Sequence, residues 1–241
     1  MFHIGVDGCK AGWFAVTRDA AGLDYHVFAR VVDIVDTFDT VERILIDIPI
    51  GLPWSGAPIR PCDQLARRVL GRPRGSSVFA VPCRQALKAA GLEQAKAVNI
   101  SELGRSLGSQ TWGICPKIAE VDAFMQNDDR QYRLREIHPE VCFWALAGGK
   151  PMTHKKSKSA GREERLAVLE SHEPDVEGLL RRVLSETSRR DVESDDVLDA
   201  AVACVTSGAS GDQLDRLVGT PSHDETGLPM EMLYWRGDEA A

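Results

Sequence analysis

The segment Arg43–Pro53, RILIDIPIGLP, places an acid at the end of a short buried strand. Its apolar, uninterrupted run of residues 44–46 predicts a strand that is covered on both faces. Asp47 follows at once, and open α/β sheets bind their ligands at the carboxyl ends of their strands. A carboxylate in this place is costly unless it is paired, hydrated or bound to a cation. The segment therefore predicts a polar site at one edge of a buried sheet.

Two other segments offer matching acids. Asp7 ends the first apolar run, and SDDVLDAAVACV predicts a helix on which Asp196 and Asp199 share a face while Asp195 points elsewhere. Clustered carboxylates repel one another, so one or two hard divalent cations, Mg²⁺ or Mn²⁺, are their natural partners. Each acid also has a simpler explanation. Asp7 is suited to bond the glycine turn after it, and acids in a first turn favour the helix dipole.

The composition predicts an ordinary cytosolic domain. The 241 residues suit a single domain, 1–241, with a Pro- and Arg-rich insertion at about 53–116. The six cysteines contain no C-x-x-C pair, which predicts reduced, packed thiols rather than a zinc ribbon. No apolar run is long enough to cross a membrane, and no secretory signal is visible. The net charge of −7 weighs modestly against long nucleic acids.

The order of predicted elements is strand, strand, strand, helix, strand, then the insertion. The tail GLPMEMLYW predicts an edge strand, and Ser194 is suited to cap the last helix. The predicted strands are His3–Asp7, Trp13–Thr17, Asp24–Val31, Arg43–Ile50 and Gln131–His138. The predicted helices are Val32–Thr40, Cys62–Leu70, Arg84–Ala90, Ile118–Gln126, Arg162–Ser171, Gly178–Ser188 and Ser194–Ser207.

The motifs together resemble the DUF429 family of predicted ribonuclease H-like nucleases. They run from residue 4 to about 205, and the tail fits the family's ending. They are GVDGCKAGW, IDIPIGLP, CDQLAR with LGRPRGSSVFAVP, EIHPEVCF, the lysine-rich loop with GREERL, and DDVLDAAVA. The resemblance implies an α/β fold: a ribonuclease H-like mixed five-stranded sheet flanked by helices, with a helical and loop insertion after the fourth strand.

The resemblance also implies a metal-dependent nuclease centre. Catalytic metal ligands would be Asp7 from the first strand, Asp47 from the fourth, and the last-helix pair Asp196 and Asp199 in a D-x-x-D-A arrangement. The fourth-strand acid is often Glu in the Holliday-junction-resolvase branch. Asp47 is one methylene shorter, which would shift the metal.

The motif EIHPE adds further candidates. Glu136 and Glu140 are candidate catalytic acids and additional ligands, and His138 is a candidate proton carrier or substrate contact. The alternative is a hydrogen-bonded strand end that holds the insertion in place. Arginine and lysine suit phosphate groups, which makes five residues candidates for substrate phosphate: Arg60, Arg67, Arg84, Lys155 and Lys156.

Three functions remain open from the sequence. The leading one is a metal-dependent phosphodiester hydrolase acting on nucleic acid or a nucleotide. An actin-like ATP-dependent phosphotransferase shares the topology and fits Asp7-Gly8 loosely. A non-catalytic metal- or partner-binding module is the third. No G-x-S-x-G or G-x-x-x-x-G-K-[ST] motif supports a different chemistry, and the oligomeric state is open.

Overall fold

A mixed five-stranded sheet forms the centre of the structure, a computed structural model that describes residues 2–237. The first three strands form an antiparallel meander, and the next two run parallel to the first. The order across the sheet is β3-β2-β1-β4-β5, which confirms the predicted α/β, ribonuclease H-like sheet. The strands are β1 His3–Cys9, β2 Gly12–Asp19, β3 Gly22–Phe28, β4 Ile44–Ile46 and β5 Leu134–Glu136.

Alternating side chains divide the core between the two faces of the sheet. Ile44 and Ile46 enter one apolar cluster, whereas Leu45 between them enters the other, and all three are fully buried. The short strand β4 is therefore covered on both faces, as its uninterrupted apolar sequence predicts. A polar side chain can therefore be accommodated only after the end of β4, at the edge of the sheet.

Helices cover both faces. One face packs against α1, Val31–Thr37, and α5, Ser109–Asn127. The other face packs against the later helices. These are α6 Pro139–Leu146, α7 Ser159–Glu170, α8 Val176–Glu186 and α9 Ser194–Ser207. Within residues 2–237, none of the helices combines the length and the apolar character that a bilayer crossing requires.

The chain between β4 and α5 is the predicted insertion, and it is largely helical. A small apolar cluster of its own, which includes Leu103 and Cys115, packs it against α5. Its predicted end near residue 116 differs from the structure, because Pro116 lies inside α5. The elements are α2 Pro61–Arg74, a 3₁₀ turn Gly75–Ser77, α3 Arg84–Leu87 and α4 Leu92–Leu103.

Several predicted boundaries shift. The 3₁₀ turn Gln131–Arg133 shortens the fifth strand, and Pro139 begins α6 rather than only ending a strand. Glu193 caps α9, so the prediction of Ser194 was one residue off. The predicted edge strand is reduced to one bridge between Ile137 and Leu233. The tail instead forms short ladders, β6 Asp215–Arg216 with β9 Leu233–Tyr234 and β7 Ser222–His223 with β8 Pro229–Met230.

Helix α9 lies unusually close to β1. A Cβ atom added at Gly5 would come within 2.0 Å of the Cys204 nitrogen and 2.3 Å of the Ala200 oxygen. These are backbone atoms, which cannot swing aside, so this contact requires a glycine. All six cysteines, Cys204 among them, are buried free thiols, which agrees with the sequence prediction.

We expect Gly5→Ala to destabilise the protein by about 2–3 kcal/mol or more, because the methyl group must force α9 away from β1. The urea midpoint of unfolding measures the effect. Gly113→Ala is the matched control, since Gly113 is exposed in α5 and nothing lies within 4 Å of its added methyl group. An unchanged midpoint in Gly5→Ala would contradict the packing described here.

Candidate active site

Asp7 and Asp47 lie side by side at the carboxyl edge of the sheet. In the parallel register Val6 pairs with Ile46, and the Asp47 N–H donates to the Val6 carbonyl at 2.9 Å. The next residue of each strand is therefore an aspartate. β1 continues to Cys9, so Asp7 lies two residues before the end of its strand and not at the end as predicted. Both aspartates still lie toward the carboxyl ends of parallel strands, which is the usual ligand position in open α/β sheets.

The first turns of α9 bring two more acids to the same place. Asp196 and Asp199 lie on this helix, which packs over β1 and β4 through its alanine-rich face. Asp199 is almost fully buried, and the negative charges of Asp196 and Asp199 both act on Asp7. We call Asp7, Asp47, Asp196 and Asp199 the aspartate cluster.

Burial and the neighbouring negative charges raise the pKa values of three members, Asp7, Asp47 and Asp196. Burial, then the charges of Asp47 and Asp199, hold the pKa of Asp7 well above its usual range. Burial and then the Asp199 charge raise the pKa of Asp47 to about 8. Burial raises the pKa of Asp196 to about 6. Carboxyl groups that resist ionisation in this way gain most from a bound cation.

Two members also have the simpler roles that the sequence left open. The Asp7 Oδ1 accepts a hydrogen bond from the Gly8 N–H at 2.7 Å. The Asp196 Oδ2 accepts one from the Glu193 N–H at 2.8 Å, as part of a capping box on α9. In each case one oxygen is engaged locally, so these contacts orient the carboxylates without using all of their lone pairs.

Asp47 has no such local role. Within residues 2–237, no hydrogen-bond donor contacts its carboxylate, although the residue is only partly exposed. The cluster therefore supplies carboxylate oxygens from three separate segments, and the carboxylate of Asp47 accepts no hydrogen bond from the described residues. Carboxylate oxygens are the ligands that a hard divalent ion such as Mg²⁺ or Mn²⁺ prefers. Among the described residues, however, no three members of the cluster have oxygens within 4.8 Å of one another.

One cation of the chain already contacts the cluster. The Lys156 Nζ lies 2.6 Å from the Asp199 Oδ2, and the charges of Asp199 and Asp7 raise the pKa of this lysine. The sequence predicted Lys156 as a contact for substrate phosphate, not as a partner of Asp199. Burial raises the pKa of Asp195, on which the charges of Lys156 and Asp199 also act.

Glu140 borders the cluster but is held by an arginine. Its Oε1 accepts hydrogen bonds from the fully buried Arg165, whereas its Oε2 is buried without a partner among the described residues. Burial raises the pKa of Glu140, and the Arg165 charge opposes the rise. The charge of Glu140 acts on Asp47, which places this side chain beside the predicted metal ligands.

Glu136 faces a different partner. Its Oε2 accepts hydrogen bonds from the Ile50 N–H at 2.6 Å and from the buried guanidinium of Arg60. A cavity of about 20 Å³ separates it from the aspartate cluster, and Asp47, Glu136 and His138 all line this cavity. The volume suits a single water molecule. The structure therefore places Glu136 next to the cluster rather than in it.

His138 lines the same cavity as a neutral side chain. Burial lowers the pKa of this imidazole to about 4, and its Nδ1 is buried with no partner in the described part of the chain. A neutral imidazole at pH 7 can relay a proton or bond a water. The sequence prediction of a proton carrier remains untested.

A second group of potential metal ligands lies under the cavity. Cys62, Asp63 and Glu136 offer ligand atoms that all lie within 4.8 Å of one another. The guanidinium of Arg60, however, donates to Asp63 at 2.9 Å and also to Glu136. Because a fixed cation already balances these carboxylates, we interpret this group as a buried ion-pair network.

The candidate phosphate contacts fall into two groups. Arg60, Arg67 and Arg84 are engaged inside the protein, so the predicted phosphate role does not fit their positions. Arg67 donates to the Val78 and Phe79 carbonyls, and Arg84 pairs with Asp122 and Asp224. Lys155 remains an exposed candidate. The charge of Arg74 acts on Glu140, which borders the cluster, and lowers its pKa against the effect of burial.

Sequence reasoning missed two residues that organise this region, Asp63 and Arg165. Both lie inside recognised motifs, CDQLAR and GREERL. Asp63 pairs with Arg60, three residues before it, whereas the partner of Arg165 is distant in the chain. Arg165 bonds Glu140, 25 residues away. The burial of Arg165 would have indicated a buried acidic partner. The sequence alone does not show that this arginine is buried.

A family comparison matches the region that contains these residues. The family model described as "Protein of unknown function (DUF429)" matches residues 5–226. The chain belongs to the DUF429 family. The match covers the aspartate cluster, Glu136, Glu140 and Lys156 of this DUF429 protein. No curated protein and no solved structure matches the chain.

The raised pKa of Asp47 predicts how the stability of the metal-free DUF429 protein depends on pH. The folded state keeps a proton up to about pH 8, whereas an unfolded Asp loses it near pH 4. The folded state therefore binds more protons within this window, and its stability falls as the pH rises. We expect the melting temperature in chelator to fall between pH 5.5 and pH 8.

Asp47→Asn is expected to make this fall smaller and to raise the stability at pH 8 by at least about 1 kcal/mol, the value of a one-unit pKa difference. Asp39→Asn, which changes an exposed acid outside the site, is the control. Glu136 also has a pKa raised by burial, to about 8, so some pH dependence remains in the variant. Equal slopes in the wild type and in Asp47→Asn would contradict the assignment.

Proposed function

We propose that this DUF429 protein is a divalent-metal-dependent phosphodiester hydrolase that acts on a nucleic acid or a nucleotide. One observation carries the proposal. Asp7 of β1 and Asp47, which follows β4, lie on adjacent parallel segments, Asp199 acts on both, and the Asp47 carboxylate has no donor among the described residues. Carboxylates from three segments at one edge of a sheet are suited to hold a cation against a phosphodiester.

The metal is expected to be Mg²⁺ or Mn²⁺. When bound, it would supply Lewis-acid stabilisation of the charge on the phosphate and lower the pKa of a bound water. Asp7 and Asp47 would hold it, with Asp199 and the second oxygen of Asp196 completing the ligand set. The hydrogen bonds from Gly8 and Glu193 fix the orientation of Asp7 and Asp196 before a metal arrives.

Glu140 is our candidate for proton transfer. Arg165 holds its Oε1, so the carboxyl group keeps one orientation, and its Oε2 has no partner among the described residues. Burial raises the pKa of Glu140, which brings a carboxylate closer to the working range of a general base. Glu140 would accept the proton of the attacking water while Arg165 keeps the residue in place.

Cations at the rim would bind the substrate. Arg74 ends α2 with its charge near Glu140, and Lys155 is exposed on the loop that precedes α7. These two side chains replace Arg60, Arg67 and Arg84 as candidates, because the latter are bonded internally. Two cations, the partly buried Arg74 and the exposed Lys155, beside a buried acidic centre suit a short or flexible phosphodiester better than a long duplex, given the overall charge of −7.

The proposal predicts that Asp7→Asn and Asp47→Asn each lower metal-dependent cleavage by at least about 10²-fold, since each removes a charge that holds the metal. Cleavage of single-stranded and duplex DNA, RNA, a branched junction and bis(p-nitrophenyl) phosphate is measured with Mn²⁺ and with chelator. Asp39→Asn serves as the control, and circular dichroism shows whether each variant is folded.

Cleavage that depends on Mn²⁺ and survives in both aspartate variants would contradict the proposed site. Absence of cleavage on every substrate, in protein that binds Mn²⁺, would favour the non-catalytic metal-binding module. In that case the aspartate cluster is a structural ion site, and the function of the family lies in a binding event.

A further inference from the structure

We infer that Lys156 is a built-in second cation of the aspartate cluster, so that the site takes a single divalent ion. The ammonium would stay on Asp199 while the ion binds between Asp7 and Asp47. The inference rests on the proposed function for the presence of the ion. It is carried by the 2.6 Å contact between the Lys156 Nζ and the Asp199 Oδ2.

The loop that carries Lys156 is clamped to α7. The Glu164 carboxylate accepts hydrogen bonds from the Thr153 and His154 N–H groups at 2.7 and 2.9 Å. Arg165 donates to the His154 carbonyl at 3.2 Å from the same helix. Hydrogen bonds with α7 thus fix the backbone of Thr153 and His154, which lie just before Lys156 in the chain.

Gly161 of α7 also lies very close to the backbone of the loop that carries Lys156. A Cβ atom on Gly161 would come within 2.0 Å of the Lys155 carbonyl oxygen, and the Lys158 N–H donates to the same oxygen at 3.0 Å. The first turn of α7 therefore presses directly on the loop beside Lys156. This approach requires a glycine, because the contacted atom belongs to the backbone.

The same arginine connects the loop to the site. Arg165 holds the His154 carbonyl and also Glu140, whose charge acts on Asp47. Arg165 therefore bonds both to the backbone of the loop that carries Lys156 and to Glu140 beside the aspartate cluster. Its side chain is 45% exposed, whereas the Asp199 side chain is 3% exposed, so the ammonium covers a buried carboxylate from the solvent side.

A second divalent ion at Asp199 would have to displace this ammonium. Sites with two metal ions hold them about 3.5–4 Å apart on shared carboxylates. Here one side of Asp199 is already bonded to a cation that its own loop holds in place. An ammonium has three N–H donors, so Lys156 keeps two for a phosphate oxygen or a water. It would then stabilise phosphate charge where a second ion otherwise acts.

Isothermal titration of Mn²⁺ into the full chain, without substrate, tests the inference. We expect the wild type to bind one ion per chain and Lys156→Met to bind two, because methionine replaces the stem of the lysine without its ammonium group and frees Asp199. Lys155→Met is the matched control on the same loop, and it is expected to bind one ion. Lys156→Gln provides a second neutral variant if Lys156→Met does not fold.

Other stoichiometries overturn the inference. Two ions in the wild type would mean that Lys156 leaves Asp199 readily. One ion in both neutral variants, whether with unchanged or tighter affinity, would mean that the ammonium occupies no separate cation position. If the wild type binds one ion and cleaves nothing, the proposed function fails while the inference stands. If the wild type binds no ion, both fail.

Discussion

The close contact between α9 and β1 determines where the acids of this protein meet. Gly5 lets the backbone of the helix approach the strand directly, and Ala200 lies at the point of contact. Because the contact involves backbone atoms, a larger residue at position 5 would force the helix away from the strand. The same helix begins with Asp196 and Asp199, so packing in the core places two carboxylates over the ends of β1 and β4.

Electrostatic pairing separates this site from the other buried acids. Arg60 pairs with Asp63 and Glu136, Arg84 with Asp122 and Asp224, and Arg165 with Glu140. Breaking such pairs is costly, which makes them fixed parts of the fold. In the described part of the chain, Asp199 pairs with Lys156, and the other three members of the aspartate cluster form no ion pair. An uncompensated group of carboxylates is where a divalent ion gains most.

Local sequence patterns predicted the elements that build the cluster. The apolar run before Asp47 specified β4, the D-x-x-D spacing specified the acidic face of α9, and the register of parallel strands then brought Asp7 beside Asp47. The resemblance to DUF429 predicted the same four aspartates. These features depend on neighbours in sequence or on the topology of one fold, so they can be derived without coordinates.

The remaining features depend on contacts between distant segments. Arg60 meets Glu136 across 76 residues, and Lys156 meets Asp199 across 43. No periodicity in the sequence distinguishes these buried cations from exposed ones, which is why Arg60, Arg67 and Arg84 were predicted as phosphate contacts. Helix α6 was missed for a different reason. Pro139 was treated as the end of a strand, although proline is also favoured at the first position of a helix.

Anomalous diffraction from a crystal of the protein soaked in Mn²⁺ tests the central claim most directly. The account predicts an anomalous peak at about 2.0–2.2 Å from carboxylate oxygens of Asp7 and Asp47, as expected for a small hard cation. A peak among Cys62, Asp63 and Glu136 instead, or no peak near any of these acids, would contradict the assignment of the aspartate cluster as the metal site.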